Sequence, residues 1–348
     1  MSAPPEPCLQ YLDNQTGLTV FQYDKMGPGR QFHDVVVVKG SFDIQTGGVL
    51  ANPVRGKLSL ADTHRNPDDP LGSSLAEAGD LILGKPGADI YVTGTAVSAY
   101  PRKQWSVEVS VLGPQHTALV QYRCVATGPR RWRHSREHGW HLGDPDETAA
   151  VPILYELAWG GRARDADNPP EQWESCGINP SGSGYSFQGY SLDDQPAGPQ
   201  WGTENATSRS VIQELTGLGP VARFWDSRKH YAGTYDAAWR ERFDAGEPDY
   251  PTDFDPRFFQ CAHPALQITQ ALKGDEQLRL TGLLPVDAAV PVVLPNWRIR
   301  ASTDRSKFQL PLDTLHIDLD TRQLHLTWRL TLPQTRRIKR VLLSLEKS

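Results

Sequence analysis

Glycine and proline punctuate this chain so densely that long helices have little room to form. The 348 residues hold 30 Gly and 28 Pro, about one position in six where ordinary domains have roughly one in eight. Gly leaves a helix or strand at low steric cost and Pro cannot donate to either ladder, so the pattern calls for many short elements joined by defined turns. Collagen is excluded because the glycines keep no three-residue period, and 10 Trp, 11 Tyr and 10 Phe supply large apolar surfaces for a packed core.

Between the turns, apolar residues alternate or cluster in runs of strand length. Residues 35–42 form a β-branched block and 90–97 a second run. Trp105, Val107, Val109 and Val111 alternate with Ser106, Glu108 and Ser110, and Val120, Tyr122 and Cys124 continue the pattern. The clearest hairpin joins Leu315, Ile317 and Leu319 through Asp320, Thr321 and Arg322 to Leu324, Leu326, Trp328 and Leu330. Its alternate positions, His316, His325 and Arg329, are expected to point outwards.

Helix is expected in two places. One is 210–218, stopped by Gly219 and Pro220. The other places Tyr235, Ala238, Trp239 and Phe243 on a core-facing stripe after Thr234 as N-cap, with Asp236 early and Arg240 and Arg242 late, as the helix dipole prefers. The expected fold is mainly β: two sandwich-like lobes, 1–160 and 208–348, with a few short helices and long loops, flanking a polar passage at 161–207. Strands are free to cross between the lobes.

Charge and composition narrow the function classes. Lys plus Arg number 36 against 41 Asp plus Glu, a formal charge of -5, which disfavours a dedicated nucleic-acid binder. Cys8, Cys124, Cys176 and Cys261 form no C-x-x-C pair and read as isolated thiols. No apolar run approaches the ~18 residues that span a bilayer, and residues 1–10 lack the basic and apolar regions of a secretory signal. A soluble cytoplasmic chain is expected.

Residues with chemical potential are found, but not in catalytic frames. Ser181, Gly182, Ser183 and Gly184 match neither a nucleophile elbow nor a phosphate loop and read as a turn. His134, His138 and His141 have helical metal-ligand spacing, yet Arg130, Arg131, Arg133 and Arg136 oppose a dication and Gly139 and Gly143 oppose a helix. A solvated basic loop is the preferred reading, and no metal or cofactor is expected. Asp244, Glu247, Asp249, Asp253 and Asp255 form an acidic passage outside the calcium-loop frame. Two such carboxylates across a cleft, with Trp as a sugar platform, give the alternative function: a carbohydrate-binding or glycoside-hydrolase-like β-sandwich.

Read in order, several segments resemble one family: VVVVKGSFD at 35–43, DLILGKPGADIYVTGTA at 80–96, VPILYELAWGG at 151–161 and NPSGSG at 179–184. They continue as GPVARFWDSRKHYAGTYDAAW at 219–239, YPTDFDPRFF at 250–259, Leu294 with Pro295, LDT at 312–314, and Trp328 with Arg329. The chain is similar over 35–332 to a bacterial domain-of-unknown-function family encoded beside type VI secretion spike genes, whose members act as effector adaptors or chaperones. AGTYD-x-x-W at 232–239 and P-x-DFD-x-RFF at 251–259 are its most specific pieces. The Arg- and His-rich passage before Pro152 and the polar sequence after Tyr190 depart from it.

The resemblance implies a non-enzymatic protein whose partners are an effector toxin, a PAAR-type tip protein and the trimeric spike, with neither nucleic acid nor membrane as ligand. Electrostatics place partner contact at Arg130, Arg131, Arg133 and Arg136, with Trp132 and Trp140 as aromatic anchors. Glu156, Trp159, Arg228, Tyr235, Asp236 and Trp239 form a second candidate surface. Gly160, Gly161, Gly182, Gly184 and Gly233 read as turn positions, and Thr234, Asp253 and Asp255 as structural motif residues.

Overall fold

The computed structural model describes residues 9–48, 50–204, 213–334 and 338–347. It is mainly β, with 42% strand and 12% helix, several sheets and only short helices. A seven-stranded sheet runs in the order Gln267–Ile268, Ala88–Thr93, Leu312–Asp318, Gln323–Pro333, Phe32–Asp43 and Thr19–Met26, with Val54–Arg55 also pairing to Phe32–Asp43. All these pairings are antiparallel except Ala88–Thr93 with Leu312–Asp318.

A five-stranded sheet orders Trp201–Gly202, Ala118–Thr127, Gln104–Leu112, Gln277–Thr281 and Val290–Val293. A four-stranded sheet orders Leu9–Asn14, Ile338–Lys347, Trp297–Thr303 and Lys307–Gln309. Strands from either side of the passage 161–207 lie side by side in both larger sheets, as Phe32–Asp43 does with Gln323–Pro333 and Gln104–Leu112 with Gln277–Thr281.

One contiguous apolar cluster joins the sheets. Pairing register places Ile90, Leu315 and Leu326 in one row of the seven-stranded sheet and Val92, Ile317, Leu324 and Phe42 in the next, all on one face. These residues share the cluster with Val107, Val109 and Val111 of the five-stranded sheet and with Trp297, whose ring meets Phe42 edge-on at 5.1 Å. The alternation of Trp105, Val107, Val109 and Val111 thus does what its period requires, burying one side of Gln104–Leu112.

The opposite face departs from the expectation of an outward, solvated side. Its rows read Tyr91, His316, His325, Ser41 and then Asp89, Thr314, Thr327, Lys39, with Arg329 further on. Of these only His325 is more than marginally exposed. Period-two patterning reports which residues share a face but not whether a second layer of chain covers it. Here residues 56–83 and 219–261 supply that cover.

Other differences have local causes. The run 90–97 is interrupted at Gly94, where φ is +93° and a Cβ would fall 2.8 Å from Asp320 N. Residues beyond it, Thr95–Arg102, pair instead with Thr148–Pro152. The expected helix at 210–218 is not formed over 213–218, and residues 210–212 lie outside the described residues, as does Cys8. The basic passage is not a loop: Trp132–Ser135 and Gly139–Leu142 pair as an antiparallel hairpin. No helix among the described residues is long and apolar enough to cross a membrane.

Candidate functional site

The covered polar face is an ionic network. Lys39 Nζ donates to Asp80 Oδ2 at 2.8 Å and lies 3.8 Å from Glu77. Asp80 Oδ2 also accepts from Ser59 N at 2.8 Å, and the Asp80 carbonyl accepts from Arg329 Nη2 at 2.9 Å. Arg329 Nη1 pairs with Asp313, and Asp313 Oδ1 accepts from Thr314 Oγ1 at 2.8 Å. Lys85 Nζ bridges Asp89 at 2.7 Å and Thr314 Oγ1 at 2.7 Å, while Asp89 also accepts from Cys261 N at 2.7 Å. Asp80 and Asp89 therefore each tie covering chain to the sheet, whereas Asp313 pairs with Arg329 within the sheet itself.

Two of its cations, Lys85 and Arg329, are held in their charged form. Burial opposes the Lys85 ammonium and the Arg329 guanidinium, but the facing carboxylates, chiefly Asp89 for Lys85 and Asp313 for Arg329, outweigh it and raise both pKa values. Burial pushes the Cys261 thiol up to about 12 and the Tyr23 phenol up to about 12. Neither is ionised near neutral pH, so neither is an activated nucleophile.

An open groove of about 460 Å³ lies against this network. Its walls are Pro28, Leu83, Pro86, Phe254, Phe259 and Leu330, and Lys85, Asp313 and Arg329 also line it. The edge strand Thr19–Met26 holds one wall in place: Tyr23 OH donates to Ile82 O at 2.5 Å and Lys25 Nζ to Leu81 O at 2.8 Å. Buried Arg228 holds the other, donating from Nη1 to Val221 O at 2.6 Å and from Nη2 to Phe258 O at 2.8 Å. Asp255 caps the 3-10 turn Pro256–Phe259 by accepting from Arg257 N at 2.8 Å and pairs with the Arg257 side chain at 2.6 Å.

The two most specific sequence segments are tied together. Asp253 accepts from Thr234 N at 2.8 Å and from Thr234 Oγ1 at 2.7 Å, and a Cβ on Gly233, at φ +83°, would come within 2.7 Å of Pro251. Thr234 is therefore not the N-cap. Asp236 is, accepting from Trp239 N at 2.8 Å at the start of helix Ala237–Asp244. That helix buries none of its residues, so its expected core face is a correction: Tyr235 is 57% and Phe243 47% exposed. Trp239 is half-buried, donating from Nε1 to Asp249 O at 2.8 Å.

The hairpin residues divide by face. Trp132 is buried, donates from Nε1 to Ser183 Oγ at 3.1 Å and meets Phe187 edge-on at 5.0 Å, while Trp140 stacks on Phe187 at 4.3 Å. Arg130 is buried, its Nε donating to Pro199 O at 2.7 Å, and burial lowers its pKa to about 10. Arg131, Arg133 and Arg136 are exposed.

Near the hairpin, Trp159–Gly160 pairs in parallel with Ser183–Gly184, bringing buried Trp159 and Trp132 to the same segment. A Cβ on Gly160 would lie 2.1 Å from Asn179 O, and one on Gly184 would strike the Trp132 ring at 2.3 Å. Gly161 N donates to Asn179 O at 2.8 Å, and Gly182 packs against Ala158 O. Glu156, unexplained by its own neighbours in sequence, accepts from Ser74 N at 2.9 Å and from Ser74 Oγ at 2.7 Å, clamping a distant loop.

Sequence reasoning missed the ionic network: Lys39, Asp80, Lys85, Asp89 and Asp313. Lys39 inside VVVVKGSFD and Arg329 inside LTWRLTL are single charges within strongly apolar strands, and that interruption was the available signal.

The groove joins segments far apart in sequence. Leu83 to Pro86, Phe254 to Phe259, Asp313 and Arg329 come from four of the segments that carry the family resemblance. A family model described as "Uncharacterized protein conserved in bacteria" (DUF2169) matches residues 29–329 and so covers most of the groove, Pro28, Leu330 and Thr331 lying just outside it. No curated protein and no solved structure matches the chain. Because the family model spans most of its length, this chain belongs to the DUF2169 family of uncharacterized proteins conserved in bacteria.

Proposed function

We propose that this protein is a non-enzymatic cytoplasmic adaptor, or chaperone, that holds a type VI secretion effector and helps load it onto the PAAR-type tip of the secretion spike. The observation that carries the reading is the convergence of family segments on one open apolar groove whose ionic residues are already paired with each other. Paired charges offer little to a reacting substrate. Exposed Pro28, Pro86 and Pro256 and half-buried Leu83 and Phe254 beside them suit a segment of another protein, which gains by covering them.

Co-expression with the effector and tip protein encoded by neighbouring genes tests the proposal. A three-component complex that survives gel filtration supports it, and absence of any complex with either partner overturns it. The carbohydrate alternative makes a different demand: binding on a glycan array followed by turnover that Asp253→Asn abolishes would replace the adaptor reading with an enzymatic one.

A further inference from the structure

We infer that the ionic network encloses a binding site for one water molecule, held by the Tyr91 hydroxyl between the seven-stranded sheet and the chain that covers it. A cavity of about 10 Å³ adjoins the groove, and Lys85, Phe259 and Arg329 line both. That is about the volume at which a cavity admits a single water, and it leaves no room for a polyatomic guest. Tyr91 and Arg329 reach it from the sheet, and Asp62, Asp80 and Arg228 from the covering chain.

Polar atoms around the cavity have hydrogen-bonding capacity that the protein does not use. Tyr91 is 3% exposed and its ring stacks on His316 at 4.4 Å, yet among the described residues no group bonds to its hydroxyl. Arg329 is buried to the same degree. Its Nη1 pairs with Asp313 and its Nη2 donates to Asp80 O, but its Nε has no hydrogen-bond partner. Asp80 commits only one carboxylate oxygen to the network: Oδ2 accepts from Lys39 and Ser59, while among the described residues no group donates to Oδ1. A buried phenol without a partner is costly, and native interiors satisfy such groups with ordered water.

The surroundings also select the guest. The network and the cavity lining bring together five cations, Lys39, Lys85, Arg223, Arg228 and Arg329, and five carboxylates, Asp62, Glu77, Asp80, Asp89 and Asp313. They carry no net charge for a buried ion to offset. An anion would meet Asp62 and Asp80, and a cation would meet Lys85, Arg228 and Arg329. A neutral molecule that both donates and accepts meets neither obstacle. Burial keeps the Tyr91 phenol protonated, so the hydroxyl can donate to the water, which in turn donates to a carboxylate oxygen of Asp80 or Asp62. Such a bridge ties residues 56–83 to the sheet beside the groove.

The site belongs to the fold and is independent of the secretion reading. Crystals of the full chain, diffracting well enough to show ordered water, test it together with a second crystal soaked in sodium bromide. A single density peak is expected within about 3.2 Å of the Tyr91 hydroxyl and of a carboxylate oxygen of Asp80 or Asp62, with no anomalous signal at that place after the soak. In crystals of Tyr91→Phe, which keeps a ring to stack on His316, the peak should weaken or vanish because the water loses a partner. The wild-type crystals decide alone if that variant fails to fold. An empty cavity, a Tyr91 hydroxyl bonded directly to Asp80, bromide at the site, or a peak of unchanged strength in Tyr91→Phe would each overturn the assignment.

Discussion

The two faces of the seven-stranded sheet are both covered, yet one is closed by apolar side chains and the other by ion pairs. On the first, Phe42, Ile90, Leu315, Leu326 and Trp328 merge with the other sheets into a single cluster. On the second, Lys39, Lys85 and Arg329 meet Asp80, Asp89 and Asp313. Apolar burial is strong but non-directional, so the first face fixes that the layers pack rather than where each loop sits. Ion pairs and hydrogen bonds require particular atoms to face each other. The second face therefore sets the positions of Leu83, Pro86 and Phe259, and with them the groove.

The largest effects should come from breaking a charge pair on one side only. Arg329→Met leaves Asp313 buried without its partner and is expected to cost about 3–5 kcal/mol in urea unfolding. Adding Asp313→Leu should recover much of that loss. If the double variant is no more stable than the single one, the pair is not the source of the effect. On the apolar face, Leu326→Ala removes a fully buried side chain and should cost about 2–5 kcal/mol, with the value set by how far the cavity collapses.

Acid should distinguish the faces at smaller amplitude. Burial, aided by His325 and Lys39, holds His316 well below the ordinary histidine value, and burial pushes His263 down to about 4. Both rings bind a proton more readily in the unfolded chain. Their contribution is complete above the unfolded value of about 6.5 and is lost as pH falls below it, for His263 down to about 4. The urea midpoint should decline between about pH 7 and pH 5, and His316→Gln should flatten that decline. An unaltered slope in the variant would remove His316 from the account.

The smallest effect belongs outside both faces. Asp236→Ala removes the cap of an exposed helix, an interaction worth about 1 kcal/mol. It should speed amide exchange within Ala237–Asp244 and barely move the global midpoint. A large global shift would mean that this helix belongs to the folded core.

These contrasts also explain what was legible in the sequence. Gln104–Leu112 and the hairpin Leu312–Asp318 with Gln323–Pro333 could be read because alternation is a local property of the strand. The fate of His316 and Arg329 could not, because it depends on distant chain: Asp80 folds back over Arg329, and Thr93 of the neighbouring strand meets His316. The Arg- and His-rich passage hid its hairpin because each strand is only four residues long and its inner residues are Trp132, His134 and Trp140 with a single aliphatic, Leu142. In the helix Ala237–Asp244 the stripe of Tyr235, Trp239 and Phe243 suggested a core face, yet the rings pack on one another, Trp239 against Tyr235 at 4.6 Å and Phe243 at 5.1 Å. The groove was legible only as unconnected motifs, since convergence of Lys85, Phe254, Asp313 and Arg329 is a property of the sheet order.

The most direct measurement is gel filtration of this protein mixed with its neighbouring effector and tip protein, run for wild type and for Phe254→Gln. Phe254 is a half-buried groove wall whose ring packs on Tyr250 and Phe259, so the comparison is read on variant protein whose circular dichroism spectrum matches wild type. The account predicts a wild-type complex that the variant fails to form. A Phe254→Gln complex as stable as wild type, or a wild-type protein that elutes alone, would contradict it.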